Sequence, residues 1–247
     1  MEQRAPRGFQ GRLELGNGTR STPRRSAVRL GALAVVLAAA MGSASEPDFS
    51  GGGFVFGLQY GPGLWSFDAA TLHERLPNNI ADVDAFVNGI KTSHVATLKA
   101  RYSILGHVSV GADFTVTGWS HGASMGGAGF LAGFLTWHPF ELLFQLLKKK
   151  PRPVPLDLAT SFGVGYGIAG QDRGMDGLLY EWTLDLDFFL AKYFSMGAFV
   201  RGVFFAWDKL YIDYFGRAQA GNTITIPHGS GGSMWTFGLT LSFRAGE

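Results

Sequence analysis

From residue 54 to residue 243 the chain repeatedly alternates apolar and polar or small residues, the period-two signature of strands with two unlike faces. Phe54, Phe56, Leu58 and Tyr60 oppose Val55, Gly57 and Gln59. Between His94 and Ile104, Ala96, Leu98, Ala100, Tyr102 and Ile104 oppose Thr97, Lys99, Arg101 and Ser103. A third segment sets Val108, Val110, Ala112, Phe114 and Val116 against Ser109, Gly111, Asp113, Thr115 and Thr117. The fifth sets Leu156, Leu158, Thr160, Phe162, Val164, Tyr166 and Ile168 against Asp157, Ala159, Ser161, Gly163, Gly165 and Gly167. The sixth sets Leu178, Tyr180, Trp182, Leu184, Leu186 and Phe188 against Glu181, Thr183, Asp185 and Asp187. The eighth sets Trp235, Phe237, Leu239, Leu241 and Phe243 against Met234, Thr236, Gly238, Thr240 and Ser242. The fourth, Ala128–Trp137, is apolar on both faces and leaves its register open. In the seventh, Phe194–Ala206, Arg201 shares a face with Phe199, Val203 and Phe205, which calls for a bulge or a partly apolar interior.

About eight strands in an all-β, antiparallel, up-and-down order predict a transmembrane β-barrel. The apolar rows are large and aromatic, and in strands two, three, five, six and eight they carry no charge. The polar rows are Gly, Ser and Thr with a few charges, unlike the Lys- and Glu-rich surface of a soluble barrel. The apolar rows are therefore expected to face lipid, because an eight-stranded interior has no room for them. Starting from the periplasm, residues 66–93, 118–127, 169–177 and 207–232 are expected to face outward. Residues 105–107, 138–154 and 191–193 are expected at the periplasmic side.

Two stretches break the period. From Phe140 to Lys150 the spacing becomes helical, with Phe140, Leu143, Phe144 and Leu147 on one side and Glu141, Gln145, Lys148 and Lys149 on another. Pro151, Pro153 and Pro155 stop it. This predicts a short amphipathic helix either on the periplasmic membrane surface, with Lys148, Lys149 and Lys150 near anionic headgroups, or packed against the barrel bottom. In the first outer loop, Asn78 or Asn79 can cap a helix whose stripe is Ile80, Val83, Val87 and Ile90.

Residues 1–44 read as a secretory signal peptide, leaving 45–247 as the barrel domain. Seven arginines precede an apolar run from Leu30 to Met41 and a small-residue exit. That run falls short of the roughly 20 residues a membrane-spanning helix needs. Without it the chain holds 14 bases (21 − 7) against 17 acids (19 − 2), a net charge of −3 in place of +2. No nucleic-acid partner is implied. The absence of cysteine excludes disulfides and thiolate metal sites, and no cofactor or metal site is called for.

The end of the chain, Thr236-Phe237-Gly238-Leu239-Thr240-Leu241-Ser242-Phe243, resembles the C-terminal signal read by the barrel-assembly machinery. Its characteristic positions are Thr236, Gly238, Leu241 and Phe243, and it departs from the usual pattern by the four residues that follow. Across residues 51–243 the chain resembles the small eight-stranded outer-membrane proteins, the group of the OmpA membrane domain, OmpX and OmpW. The resemblance implies the cell outer membrane as location, with outer-membrane lipids and the assembly machinery as partners. It selects no single activity.

The inward charges are the candidate site. Lys99, Arg101 and Arg201 face Asp113, Asp157, Glu181, Asp185 and Asp187. Buried charges require partners, so the expected role is a salt-bridge network that fills the lumen, formed between adjacent strands. A charge-lined narrow path is the alternative. The expected function is structural or one of narrow permeability, with no enzymatic activity. The alternatives are a loop-mediated surface-binding barrel and a lipid A deacylase-like enzyme. His107 and Ser109 share a face and suggest the latter, but at the periplasmic end they lie on the wrong side for lipopolysaccharide.

Overall fold

The computed structural model describes residues 53–67, 92–121, 124–147, 155–170, 174–191, 193–211 and 223–245. Eight strands close on themselves in sequence order: β1 (Phe54–Phe67), β2 (Thr92–Leu105), β3 (Val108–His121), β4 (Ser124–Trp137), β5 (Leu156–Gly170), β6 (Gly174–Ala191), β7 (Phe194–Tyr211) and β8 (Thr223–Ala245). Every neighbouring pair is antiparallel, and β8 pairs with β1 to close the ring. One helix, α1 (Pro139–Leu146), lies between β4 and β5. No described helix is long and apolar enough to cross a membrane. The helix proposed around Ile80 lies outside the described residues, as do the first 44 residues and Lys148–Lys150.

The alternation sorts the side chains. Leu98, Leu131, Phe162, Leu239 and Phe243 are among the many large apolar residues exposed on the outer wall. Gln59, Thr97, Lys99, Asp113, Ser161, Asp185, Arg201 and Thr240 are buried inside. β1 runs seven residues beyond its clear alternation, through Gly61-Pro62-Gly63. Pro62 has no N–H to donate, and the β1–β8 ladder omits Gly61 and Pro62 between Tyr60↔Leu239 and Gly63↔Thr236. The other strands also overrun their expected outer ends. β3 and β4 reach His121 and Ser124, where a loop over 118–127 was expected.

The two ambiguous strands resolve with a partly apolar lumen. Phe199, Arg201, Val203 and Phe205 all point inward, and the β7 register is regular there, shifting only towards its two ends, between Trp207 and Lys209 and opposite Phe189 and Ala191 of β6. On β4, Phe130, Ala132, Phe134 and Thr136 point inward while Leu131, Leu135 and Trp137 face out. Of the two expectations for the seventh strand, a bulge or a partly apolar interior, the second is found, in the upper half of the lumen. Trp65, Trp119, Phe130, Phe205 and Trp207 fill it with Met175, Leu179 and Met234. Trp65 stacks on Phe205 at 5.5 Å and Phe205 on Trp207 at 4.6 Å. Small residues make the space: a Cβ on Gly126 would fall 2.4 Å from the Trp119 ring, and one on Gly167 2.6 Å from Phe130.

Candidate functional site

Below the aromatic layer the lumen is charged. Arg201 on β7 is the centre, fully enclosed. Its Nη2 donates to Asp113 Oδ1 at 3.1 Å and to Glu181 Oε2. Its Nη1 donates to Thr97 Oγ1 at 2.9 Å and to Thr115 Oγ1. A planar guanidinium suits this role, since its fixed fork can serve several acceptors at once. Glu181 is housed because Gly163 opposes it; a Cβ there would lie 2.6 Å from the Glu181 side chain.

The next layer down holds Lys99, whose Nζ donates to Asp185 Oδ2 at 3.1 Å; Gln59 Nε2 donates to the other Asp185 oxygen. Arg101 stands 4.0 Å from Asp187. Lys99 also lies over the Phe134 ring, 5.2 Å from its centroid. Pairing between adjacent strands is therefore only part of the pattern. Lys99 and Asp113 are directly opposite on β2 and β3, yet Lys99 reaches to β6 and Asp113 to β7. In an eight-stranded ring β2 and β6 are diametrically opposed, as are β3 and β7. These ion pairs are struts across the bore.

Asp157 belongs to a different cluster at the end where β1 begins and β8 ends. Its Oδ2 accepts from His138 Nδ1 at 2.7 Å, and His138 Nε2 lies 3.0 Å from Ser109 Oγ. An ionised carboxylate can only accept, so the neutral ring carries its proton on Nδ1 and accepts the Ser109 hydroxyl on Nε2. All three residues are buried. Burial pushes the His138 pKa below its ordinary value, and the Asp157 carboxylate opposes that shift. Sequence reading set Ser109 beside His107, two residues away. Instead the partner is His138, the residue after β4, brought over Ser109 because Val108 pairs with Trp137. The signal was present only as a polar residue between the strand and a proline.

α1 starts at the next residue. Leu142 N–H donates to the His138 carbonyl at 3.2 Å. Glu141 is turned inward and buried, whereas Leu143, Leu146 and Leu147 are exposed; Phe140 is half-buried. The helix packs against β5 and presents leucines away from the barrel. Nothing is described of the Phe144 side chain. The positions of the closing motif are all on β8, with Thr236 buried, Leu241 and Phe243 exposed on the wall, and Gly238 beside β1. Among the described residues no group of His, Asp and Glu is arranged to hold a metal ion.

No family model matches the sequence, and no curated protein matches it. Solved structures do match by shape. Neisserial surface protein A aligns over 79% of this chain and 100% of its own, with a TM-score of 0.52 at 7% identity. OprG from Pseudomonas aeruginosa aligns over 82% of this chain and 99% of its own, with a TM-score of 0.43 at 10% identity. The attachment invasion locus protein Ail of Yersinia pestis covers 78% and 99%, with a TM-score of 0.41 at 12% identity. The likeness to the Neisserial protein is one of fold: the chain has the fold of the small outer-membrane β-barrels.

Proposed function

We propose that this chain is an integral outer-membrane barrel with a sealed lumen, and that its role is structural rather than that of an open pore. The observation that carries this is the double closure of the bore. Stacked Trp65, Phe205 and Trp207 fill the upper half, and the Arg201, Lys99 and Arg101 struts cross the lower half. The cavity between Lys99, Arg101, Asp185 and Asp187 measures about 10 Å³, room for roughly one water. A wall of exposed Leu, Phe, Tyr and Val supports the membrane location, since lipid is the solvent in which such a surface is stable.

On this reading residues 1–44 direct export and are removed. Thr236, Gly238, Leu241 and Phe243 serve recognition by the assembly machinery. α1 packs against the barrel bottom and leaves Leu143 and Leu147 exposed. Recording single barrels in a planar bilayer tests the main point. No steady conductance is expected from the wild type. A stable open state whose ion selectivity changes in Arg201→Ala would overturn the sealed-lumen reading, because charges that line flowing ions are not struts.

A further inference from the structure

We propose that Ser109, His138 and Asp157 are the acyl-transfer centre of an esterase, covered by α1 as a lid, whose substrate is the acyl ester of a phospholipid in the periplasmic leaflet. The substrate class rests on the membrane location proposed above.

The geometry is that of a nucleophile, a base and an orienting carboxylate. Ser109 Oγ lies 3.0 Å from His138 Nε2, and His138 Nδ1 lies 2.7 Å from Asp157 Oδ2. The three side chains come from β3, the residue after β4, and β5, so neighbouring strands of a rigid wall fix them. A filler of the bore needs only that its polar groups be satisfied. Here the order hydroxyl, imidazole, carboxylate runs through the two ring nitrogens in the sense proton transfer requires. The depressed His138 pKa keeps the ring neutral and able to accept a proton at neutral pH.

Two features choose the substrate. The centre sits at the end with the tight turns after β2 and β6, which in barrels of this fold faces the periplasm, so the ester must come from that side. α1 begins at the base itself, and its Leu146 is 70% exposed beside Leu143 and Leu147. That surface favours lipid over water, and contact with lipid would draw the helix away from β5 and from the base it follows. A cavity of about 10 Å³ at the same rim is lined by Arg101, Tyr193, Ser195, Ser242 and Arg244. Arg101 is already paired with Asp187, and a space of about one water takes no headgroup. Lid displacement, not the present cavity, must supply the volume for the acyl chain.

The chemistry closes without an oxidant or cofactor. Ser109 Oγ attacks the ester carbonyl carbon as His138 Nε2 takes the hydroxyl proton. The tetrahedral intermediate collapses, the ester C–O bond breaks, and the departing lysophospholipid alcohol takes that proton. Water then attacks the acyl-serine, giving a proton to His138. The fatty acid leaves, and Ser109 Oγ recovers its proton. Asp157 is a positioning residue that holds the tautomer.

The test is to refold the protein, confirm the heat-modifiable barrel on gels, and expose it to an alkyl fluorophosphonate. This is done in detergent alone and in mixed micelles of detergent with phosphatidylethanolamine, followed by peptide mass spectrometry. A covalent adduct on Ser109, formed at least about 10-fold faster with phospholipid, is expected. Release of fatty acid should fall roughly 1000-fold in Ser109→Ala. Leu146→Gln, at an exposed position, should lose the phospholipid stimulation yet keep the slow labelling in detergent. Folded barrel with no adduct at Ser109 in either medium, or fatty-acid release unchanged in Ser109→Ala, overturns the proposal. Vesicle flotation separates the two readings: a labelled protein that fails to float retains the triad but overturns the membrane substrate.

Discussion

Gly61 and Gly238 face each other across the β1–β8 seam, each so close to the other strand that neither can carry a side chain. A Cβ on Gly61 would fall 2.1 Å from the Phe237 carbonyl oxygen, and one on Gly238 would fall 2.1 Å from that of Tyr60. Both obstacles are backbone, which cannot rotate away. The seam is also where Pro62 leaves a gap in the ladder.

Gly238→Val is therefore expected to block closure of the ring. The refolded variant should lose the gel-mobility difference between heated and unheated samples that marks a closed barrel. Gly129→Ala is the control, because a Cβ there meets nothing within 4 Å. Normal closure of Gly238→Val would show that the seam relaxes. Loss of closure in both would show a general intolerance to added volume.

Much of this architecture could be read from the sequence, and the failures have physical causes. Period two places Lys99 and Leu98 on opposite faces whatever the fold's details, so the inward charges were visible. The partners were not. Local pairing rules connect Lys99 to Asp113, which stand opposite each other, and only a closed ring of eight brings Lys99 to Asp185. β4 and β7 could not be resolved because aromatics occupy both faces. Phe130 and Phe205 of their inner rows pack on Trp65, contributed by β1, which neighbours neither strand. His138 was invisible as a site residue because its role depends on the β3–β4 register.

Arg201→Ala should lower the unfolding free energy by roughly 3–5 kcal/mol, since Asp113 and Glu181 would be left buried without their cation. The midpoint in urea, measured in detergent micelles, checks it. Asp113→Asn together with Arg201→Met should recover part of the loss. An unchanged midpoint in Arg201→Ala would mean that water satisfies the carboxylates, as in an open path.

His138 gives the stability a pH dependence of known sign. Burial, followed by the opposing pull of Asp157, sets its folded-state pKa below the ordinary 6.5; Arg101 and Arg244 push the same way as burial. The unfolded chain then binds the proton more readily than the folded one. The stabilisation is fully present above 6.5 and is lost as pH falls through the window below it. Lowering the pH from about 7.5 to about 5 should decrease the urea midpoint, and His138→Gln should reduce that decrease. An identical pH profile in the variant would place the titration elsewhere.

The wall and the bore can be distinguished by charge insertion. Phe162 is 63% exposed and Leu131 is 60% exposed on the outer surface. Phe162→Arg or Leu131→Arg should cost roughly 2–4 kcal/mol of stability in a bilayer. Neither should change stability comparably in a short-chain detergent that solvates the guanidinium. Equal effects in both media would contradict a lipid-facing wall. Thr183→Ser, inside the bore, should be mild in each.

The struts also dictate how the molecule must be made. Lys99 and Asp185 are separated by 86 positions, Arg201 and Asp113 by 88, and Gln59 and Asp185 by 126. A curved sheet of four or five strands in lipid would hold Lys99, Asp113 and Gln59 without the partners they have in the closed ring. Such an intermediate must keep its concave face wet until the first and last strands meet. Water leaves and the charges join in the same event. Insertion and unfolding are then each expected as a single slow step dominated by long-range contacts, with no durable half-barrel along the way.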